Sequence, residues 1–265
     1  MKKIFFFDID GTLLDTPKGL AMISQKNQEA ILALKKQGHA TFIATGRTKS
    51  FIVKPIREFP FDGFVTCNGA YVEYLGKCVY KKAIETEAIK ALVTFCEQYD
   101  FDYYLESYDT IYVNNVQKDS VVEFALRWEM DQDIMVDDFD IEKIEIYIAM
   151  IKVNEEKDID KVYEALSDYY DISCHPNQLS LDLNIRGENK GTGITHLLHT
   201  LQWSKEASYA FGDGNNDLEM IEAVGCGIAM GNAVAPLKQR AKMVTTDVHH
   251  DGVAEALKEL GLIKK

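Results

Sequence analysis

The run Lys3-Ile4-Phe5-Phe6-Phe7-Asp8-Ile9-Asp10-Gly11-Thr12-Leu13-Leu14 decides how this chain is read. Its continuous apolar residues, Ile4–Phe7, have the pattern of a strand buried on both faces. Such a strand meets solvent where the polar residues begin, and here that point carries two aspartates one residue apart. In an extended segment residues i and i+2 share a face, so Asp8 and Asp10 leave the strand end pointing into the same space. Gly11 allows a turn that a residue with a Cβ would resist. Paired carboxylates at the carboxyl end of a buried strand are costly unless a cation or a reaction uses them. Taken alone, the segment also reads as a solvated turn, since Asp, Gly and Thr are ordinary turn residues.

The strand–helix rhythm continues downstream. Residues 24–36 carry apolar side chains at helical spacing (Ala30, Ile31, Leu34), with Gly38 as the stop. Ala40–Ala44 is a second buried strand, ending in Thr45-Gly46-Arg47. Residues 49–58 read as a helix up to Phe59-Pro60, and Gly63–Thr66 as a third strand ending in Cys67-Asn68-Gly69. This alternation implies parallel pairing through right-handed crossovers. Tyr71–Tyr74 and residues 78–80, around Leu75-Gly76-Lys77, read as a hairpin.

Between residues 83 and 185 the pattern changes. Helical stretches at 84–99, 120–129 and 159–169 separate strand-like segments at 101–106, 111–114, 144–153, 172–174 and 179–183, which predicts an α+β domain with a mostly antiparallel sheet. The α/β rhythm then resumes with helices at 192–200, 217–224, 234–240 and 253–260, and strands at 208–211, 225–230 and 243–245. One doubly wound parallel sheet interrupted by a single insertion is the simplest account.

Composition narrows the class. With 265 residues, 46% hydrophobic and 27% charged, the chain has ample core material for two ordinary domains. No apolar run approaches the ~20 residues of a membrane span. The Met-Lys-Lys start and short apolar run meet two aspartates at once and lack a small-residue cleavage site, so cytoplasmic residence is expected. Cys67, Cys78, Cys96, Cys174 and Cys226 are scattered without Cys-x-x-Cys spacing, which argues against a disulfide framework and a zinc site. His196 and His199 share i, i+3 spacing but no carboxylate or cysteine joins them nearby, so a solvated helix face is the plainer reading. The formal charge of −13 argues against binding a nucleic-acid backbone. Residues 83–185 hold 25 Asp+Glu against 7 Lys+Arg, a net of −18, which leaves the remainder at +5. That contrast supports two domains, the outer segments forming one and the middle the other.

Three further stretches sit at strand ends or helix starts. Thr45-Gly46-Arg47 offers a hydroxyl and adjacent amides where a helix begins, an anion-binding arrangement, although an N-cap beside a surface arginine explains it equally well in isolation. Lys190, in Asn189-Lys190-Gly191-Thr192, precedes a helix where the core pattern resumes. Phe211-Gly212-Asp213-Gly214-Asn215-Asn216-Asp217-Leu218-Glu219-Met220 is the most specific stretch, with Asp213 at a strand tip and Asp217 in the first helical turn.

The opening run, with Asp8-Ile9-Asp10-Gly11-Thr12, resembles the first motif of the haloacid dehalogenase (HAD) superfamily, Asp-x-Asp-Gly-Thr after an apolar strand. The other three resemble its remaining motifs, in order: the hydroxyl at Thr45, the lysine at Lys190, and Gly-Asp-x-x-Asn-Asp from Gly212 to Asp217, in the form usual for Cof-like phosphatases. Gly227-Ile228-Ala229-Met230-Gly231-Asn232-Ala233 and Asp251-Gly252-Val253-Ala254 continue the resemblance. It implies a Rossmann-like core over 1–82 and 186–265 and an inserted α+β cap over 83–185 that sets substrate specificity. Thr246-Asp247-Val248-His249-His250 departs from the pattern, because relatives often carry Asn where Val248 falls and acids where the histidines fall. A surface loop is expected there, rather than substrate contact by His249 or His250.

The resemblance further implies a Mg²⁺-dependent phosphatase acting on small phosphomonoesters, either sugar phosphates or phosphorylated cofactors. Asp8 would be the nucleophile that forms an aspartyl-phosphate, Asp10 the general acid and then base, and Lys190 the catalytic counter-charge. Asp8, Asp213 and the carbonyl of Asp10 would hold the metal, with Asp217 behind them. Thr45, Gly46, Lys190 and Asn216 would hold the phosphoryl oxygens, with Arg47, Asn68 and Gly69 also on the substrate side. Nine of the thirteen tyrosines fall within 83–185, mostly as core. The negative cap disfavours polyanions, so a monophosphate with a neutral, hydroxyl-rich leaving group is expected, contacted also by the cap loop from His175 to Gln178. Two alternatives stand beside this reading: a phosphomutase on hexose phosphates, and a non-catalytic protein that binds a phosphorylated ligand. A pure binder has no need of the acid at Asp10.

Overall fold

β1 (Ile4–Phe7) has no polar side to turn to water, and both of its faces are covered. Phe5 and Phe7 enter one buried cluster with Ile43, Phe211 and Ile228, while Ile4 and Phe6 enter another with Phe42, Val65 and Leu197. The computed structural model describes residues 2–127 and 132–264.

In chain order, β1 is followed by α1 (Gln25–Lys36), β2 (Ala40–Ala44), α2 (Lys54–Arg57), β3 (Gly63–Thr66), β4 (Tyr71–Tyr74) and β5 (Lys77–Lys81). Next come α3 (Thr86–Tyr99), β6 (Asp102–Glu106), β7 (Ile111–Val113), α4 (Asp119–Arg127), β8 (Met135–Val136), β9 (Ile148–Lys152), α5 (Ile159–Leu166), β10 (Tyr170–His175) and β11 (Ser180–Ile185). The chain closes with α6 (Lys190–Thr200), β12 (Ser208–Gly212), α7 (Leu218–Ala223), β13 (Cys226–Ala229), α8 (Ala235–Arg240), β14 (Met243–Val244) and α9 (Gly252–Glu259).

The chain divides into two units: Met1–Gly46, Ile52–Lys81 and Asn189–Lys265 form the first, and Arg47–Phe51 with Lys82–Glu188 form the second. Among the described residues the first unit holds an eight-stranded sheet of order β14-β13-β12-β1-β2-β3-β4-β5. Its strands pair in parallel from β14 to β3, and the β4–β5 hairpin closes one edge antiparallel. Among its described residues the second unit holds a six-stranded sheet, β10-β11-β9-β6-β7-β8, antiparallel except for β7 with β8. One of its faces packs Tyr103, Leu105, Ile151 and Leu183 against α3 and α5, and the other packs Tyr104, Ile111 and Val113 against α4. The α/β core sheet and the α+β second sheet are as the periodicity predicts.

Three local expectations change. The helix expected over 49–58 does not form as one element. A 3-10 turn (Lys49–Phe51) and the short α2 flank Val53, whose ψ of 148° is extended. Pro55 has no N–H and would clash with a carbonyl four residues earlier, so it opens a helix and does not continue one. The strand expected over 144–153 enters the sheet at Ile148, because the carbonyl of Ile146 is taken by the Ile84 N–H at 2.7 Å. Lys190 does not precede a helix but begins one: Asn189 is the N-cap, its side chain accepting from the Thr192 N–H at 2.9 Å. The expected end of the 120–129 helix, at 128 and 129, lies outside the described residues. No helix among the described residues is long and apolar enough to cross a membrane.

Candidate active site

The strand order sets the location. From β1 the chain proceeds to β2 and β3 on one side, and from β12 to β13 and β14 on the other, so β1 and β12 are the neighbours at which the winding reverses. Loops leaving the carboxyl ends of two such strands diverge and open a crevice. Phe7 lies opposite Phe211 in the parallel register, and the Asp8 N–H donates to the Phe211 carbonyl at 3.0 Å. Asp8 and Asp213 therefore emerge at the same end of adjacent strands. On the other flank of β1, β2 delivers Thr45, whose N–H donates to the Val65 carbonyl at 2.8 Å.

Three carboxylates converge there. Oxygens of Asp8, Asp213 and Asp217 all lie within 4.8 Å of one another. Lys190 Nζ sits between two of them, 2.6 Å from Asp8 Oδ1 and 2.6 Å from Asp217 Oδ1, with its side chain 0% exposed. The other oxygen of Asp217 accepts the N–H groups of Asp213 and Gly214, each at 2.9 Å. Asp217 thus anchors the loop that presents Asp213, the most exposed of the three carboxylates.

Burial disfavours the Lys190 ammonium, but the charges of Asp217 and Asp8 outweigh burial and hold its pKa above the ordinary lysine value. Burial, and then the charge of Asp217, pushes the Asp8 carboxyl well upward against the opposing pull of Lys190. Burial and Asp217 together push Asp213 up to about 6. Both upward shifts come first from burial and then from neighbouring negative charge, and the geometry places three carboxylates around one ammonium. An all-oxygen donor set with an excess of negative charge fits a hard divalent cation.

The remaining expected site residues divide. Asp10 follows Asp8 on the tight turn in which the Ile9 carbonyl accepts the Leu13 and Leu14 N–H groups, both at 2.9 Å. Its side chain is exposed and is not among the converging carboxylates. Gly11 has φ +82°, and a Cβ there would lie 2.1 Å from Asp213 Oδ2, so only glycine lets this turn approach Asp213. The Asn68 N–H donates to the Thr45 carbonyl at 3.2 Å. At Gly69, with φ +94°, a Cβ would lie 2.0 Å from the Asn189 carbonyl oxygen, so its absence lets this turn meet the start of α6 and hence Lys190. The Asn68 side chain lies against Gly46, and the exposed Asn216 folds over Gly214. Arg47 groups with the second unit, where its Nη1 donates to the Phe51 carbonyl at 2.9 Å.

The histidines have other partners. His175 Nε2 lies 3.0 Å from Asp182, His249 Nε2 2.9 Å from Asp15 and His250 Nδ1 2.9 Å from Asp247. His196 stacks on Tyr80 with ring centroids 3.9 Å apart. Two residues to which the sequence reading gave no role contact the site. Thr12 Oγ1 donates to Asp213 Oδ1 at 3.3 Å, and Asn232 Nδ2 reaches both the Gly11 carbonyl and Asp213. The available signal for Asn232 was its place just past a parallel strand, at the sheet edge that carries Asp213.

Comparison with known proteins agrees with this geometry. A family model described as haloacid dehalogenase-like hydrolase matches residues 5–257. YkrA of Bacillus subtilis (strain 168), itself a proposed phosphatase by name, is 36% identical over 263 residues, with 99% of each chain covered. The 5-amino-6-(5-phospho-D-ribitylamino)uracil phosphatase YitU of the same organism is 29% identical over 264 residues, with 95% of each covered. The solved structure of the HAD subclass IIB sugar phosphatase BT4131 has a TM-score of 0.82 at 29% identity, covering 99% of this chain and 100% of that one. With the motifs in order, the carboxylates gathered at the switch point and the match running almost from end to end, this chain belongs to the haloacid dehalogenase-like hydrolases and is a phosphatase.

Proposed function

We propose that the chain is a Mg²⁺-dependent phosphatase that hydrolyses small phosphomonoesters through an aspartyl-phosphate on Asp8. The observation that carries this reading is the buried Lys190 ammonium held between Asp8 and Asp217, with Asp213 beside them. A buried charge cluster of this kind is costly to the fold, and such clusters concentrate at functional sites.

In the first half-reaction an Asp8 oxygen attacks phosphorus in line, and the bond from phosphorus to the leaving oxygen breaks as Asp10 supplies a proton to the alkoxide. In the second half, Asp10 takes a proton from water, the water oxygen attacks phosphorus, and the bond to Asp8 breaks to release inorganic phosphate. Lys190 offsets charge on Asp8 and on the phosphoryl oxygens, which Thr45, Gly46 and Asn216 also hold. Arg47, Asn68 and Gly69 contribute on the substrate side. Asp8, Asp213 and the Asp10 carbonyl would hold Mg²⁺, with Asp217 supporting them, and the ion would supply positive charge that lets an anionic carboxylate approach an anionic phosphate.

We take residues 83–185 as the specificity cap and 1–82 with 186–265 as the catalytic core, and the enzyme acts in the cytoplasm. The net charge of −18 across that insertion favours a monophosphate with a neutral, hydroxyl-rich leaving group. The relatives named for a phosphoribityl compound and for sugars support the same class.

The test is phosphate release from p-nitrophenyl phosphate and from a panel of sugar and cofactor monophosphates, with Mg²⁺, with EDTA and with Asp8→Asn. Turnover that requires Mg²⁺ and disappears in Asp8→Asn is expected. Turnover that survives the substitution would sink the mechanism, and none by folded, Mg²⁺-supplied wild type would sink the phosphatase reading.

A further inference from the structure

Asn232 lies three residues past the end of β13 and has no part in the mechanism above. Its side chain nevertheless touches three separate loops. Nδ2 donates to the Gly11 carbonyl at 2.8 Å and approaches Asp213 Oδ2 at 3.3 Å, while Oδ1 accepts the Val248 N–H at 3.0 Å. A backbone N–H can only donate, whereas a carbonyl and an ionised carboxylate can only accept. The amide can therefore be seated in one orientation, and only a side chain with a donor on one branch and an acceptor on the other meets all three partners.

These partners adjoin the groups assigned to the cation. Gly11 follows Asp10, whose carbonyl is one of those groups, and Asp213 is another. With Thr12 Oγ1 on Oδ1 and Asn232 Nδ2 on Oδ2, each oxygen of Asp213 has its own donor. One donor comes from the loop after β1 and the other from the loop after β13. Two donors on opposite oxygens, together with the close approach of Gly11, restrict rotation of the carboxylate about its Cβ–Cγ bond. Because Nδ2 is shared with the Gly11 carbonyl, the same amide also sets the spacing between the Asp10–Gly11 turn and Asp213. The loop that holds Oδ1 is tied back to the first loop by His249 and Asp15, 2.9 Å apart.

We propose that Asn232 is a positioning residue for cation binding: its amide fixes Asp213 against the Asp10–Gly11 turn, so that the oxygen ligands are arranged before the ion arrives. This inference rests on reading the carboxylate cluster as the Mg²⁺ site. Groups that orient metal ligands in this way typically change metal affinity 10- to 100-fold when removed.

The experiment measures Mg²⁺ binding by calorimetry, and thermal denaturation in EDTA, for wild type, Asn232→Ala and His249→Ala. His249→Ala cuts the Asp15 tie of the same loop without touching Asp213. The expected result is Mg²⁺ affinity about tenfold weaker in Asn232→Ala, near wild type in His249→Ala, and recovery of most of the lost kcat in Asn232→Ala when Mg²⁺ is raised. Unchanged Mg²⁺ affinity in Asn232→Ala, with only a lower midpoint in EDTA, would make the residue a structural tie and overturn the inference. Equal weakening in both variants would assign the effect to the loop and overturn it as well. A wild type that binds no Mg²⁺ is a different failure, that of the cation reading on which the inference rests.

Discussion

Lys190 and Glu106 are both buried ionisable groups, and their surroundings settle them in opposite ways. Lys190 keeps its proton because two carboxylates lie 2.6 Å from Nζ. Glu106, at the end of β6, instead has the Thr48 hydroxyl at 2.8 Å and Asp182 as a like-charged neighbour. Burial pushes its carboxyl up to about 8, with Asp182 adding to the shift and the Thr48 bond opposing it, so the acid is neutral at pH 7. A carboxyl whose folded pKa exceeds its unfolded value stabilises the fold fully below the unfolded pKa, near 4.5, and that contribution is lost as pH rises through about 8. The full span is worth a few kcal/mol at about 1.4 kcal/mol per pH unit. Thermal midpoints followed from pH 5 to pH 9 should fall in wild type, and Glu106→Gln, which cannot ionise, should remove that part of the decline. Parallel curves for the two proteins would show that Glu106 titrates normally.

At the scale of elements, one hydroxyl organises two helix starts. Ser24 is the N-cap of α1, where Oγ accepts the Asn27 N–H at 3.3 Å. The same oxygen donates to Asp251 Oδ1 at 2.6 Å, and Asp251 is the residue from which α9 begins. Loss of an N-cap costs about 1 kcal/mol, and a bond to a charged acceptor adds to it. Ser24→Ala should therefore lower unfolding stability by roughly 1–2 kcal/mol in a urea titration, with kcat unchanged at saturating Mg²⁺. A loss below about 0.5 kcal/mol would mean that water replaces the hydroxyl at both ends. The turn at Gly69 and the cap at Asn189 do comparable work at α6, where the absence of one Cβ lets the start of the helix come close enough for Lys190 to reach Asp8.

For the molecule as a whole, a cation that binds only the folded chain must shift its unfolding. Mg²⁺ at a hundred times its dissociation constant would add about 2.7 kcal/mol, or roughly 5–10 °C for a chain of this size. Denaturation scans in EDTA and in Mg²⁺ should show this rise for wild type, and Asp213→Asn should abolish it. A shift that persists in Asp213→Asn would place the stabilising ion elsewhere, for example among the surplus acids of residues 83–185.

Much of this protein was legible before any coordinates, because the informative features are local. An apolar run that stops at Asp8, a glycine where the turn needs positive φ, and an aspartate just past each of β1 and β12 are all written in neighbouring residues. The α/β rhythm and its interruption follow from periodicity in the same way. What the chain order could not reveal is which distant groups share one dielectric environment. Lys190 lies 182 residues from Asp8, and a lone lysine in sequence reads as a solvated charge; the sheet order makes it a buried counter-ion. Asn232 lies in a stretch that the motif resemblance already includes, but its contacts with Gly11, 221 residues away, and with Asp213 became visible only once β13 was placed beside β12. The neutral state of Glu106 rests on packing within the second unit, whereas the break in the helix expected over 49–58 is local and follows from Pro55. Hydrophobic pattern and turn chemistry act over a few residues, whereas desolvation and charge pairing depend on every element that folds around a group, so the tertiary structure alone decides them.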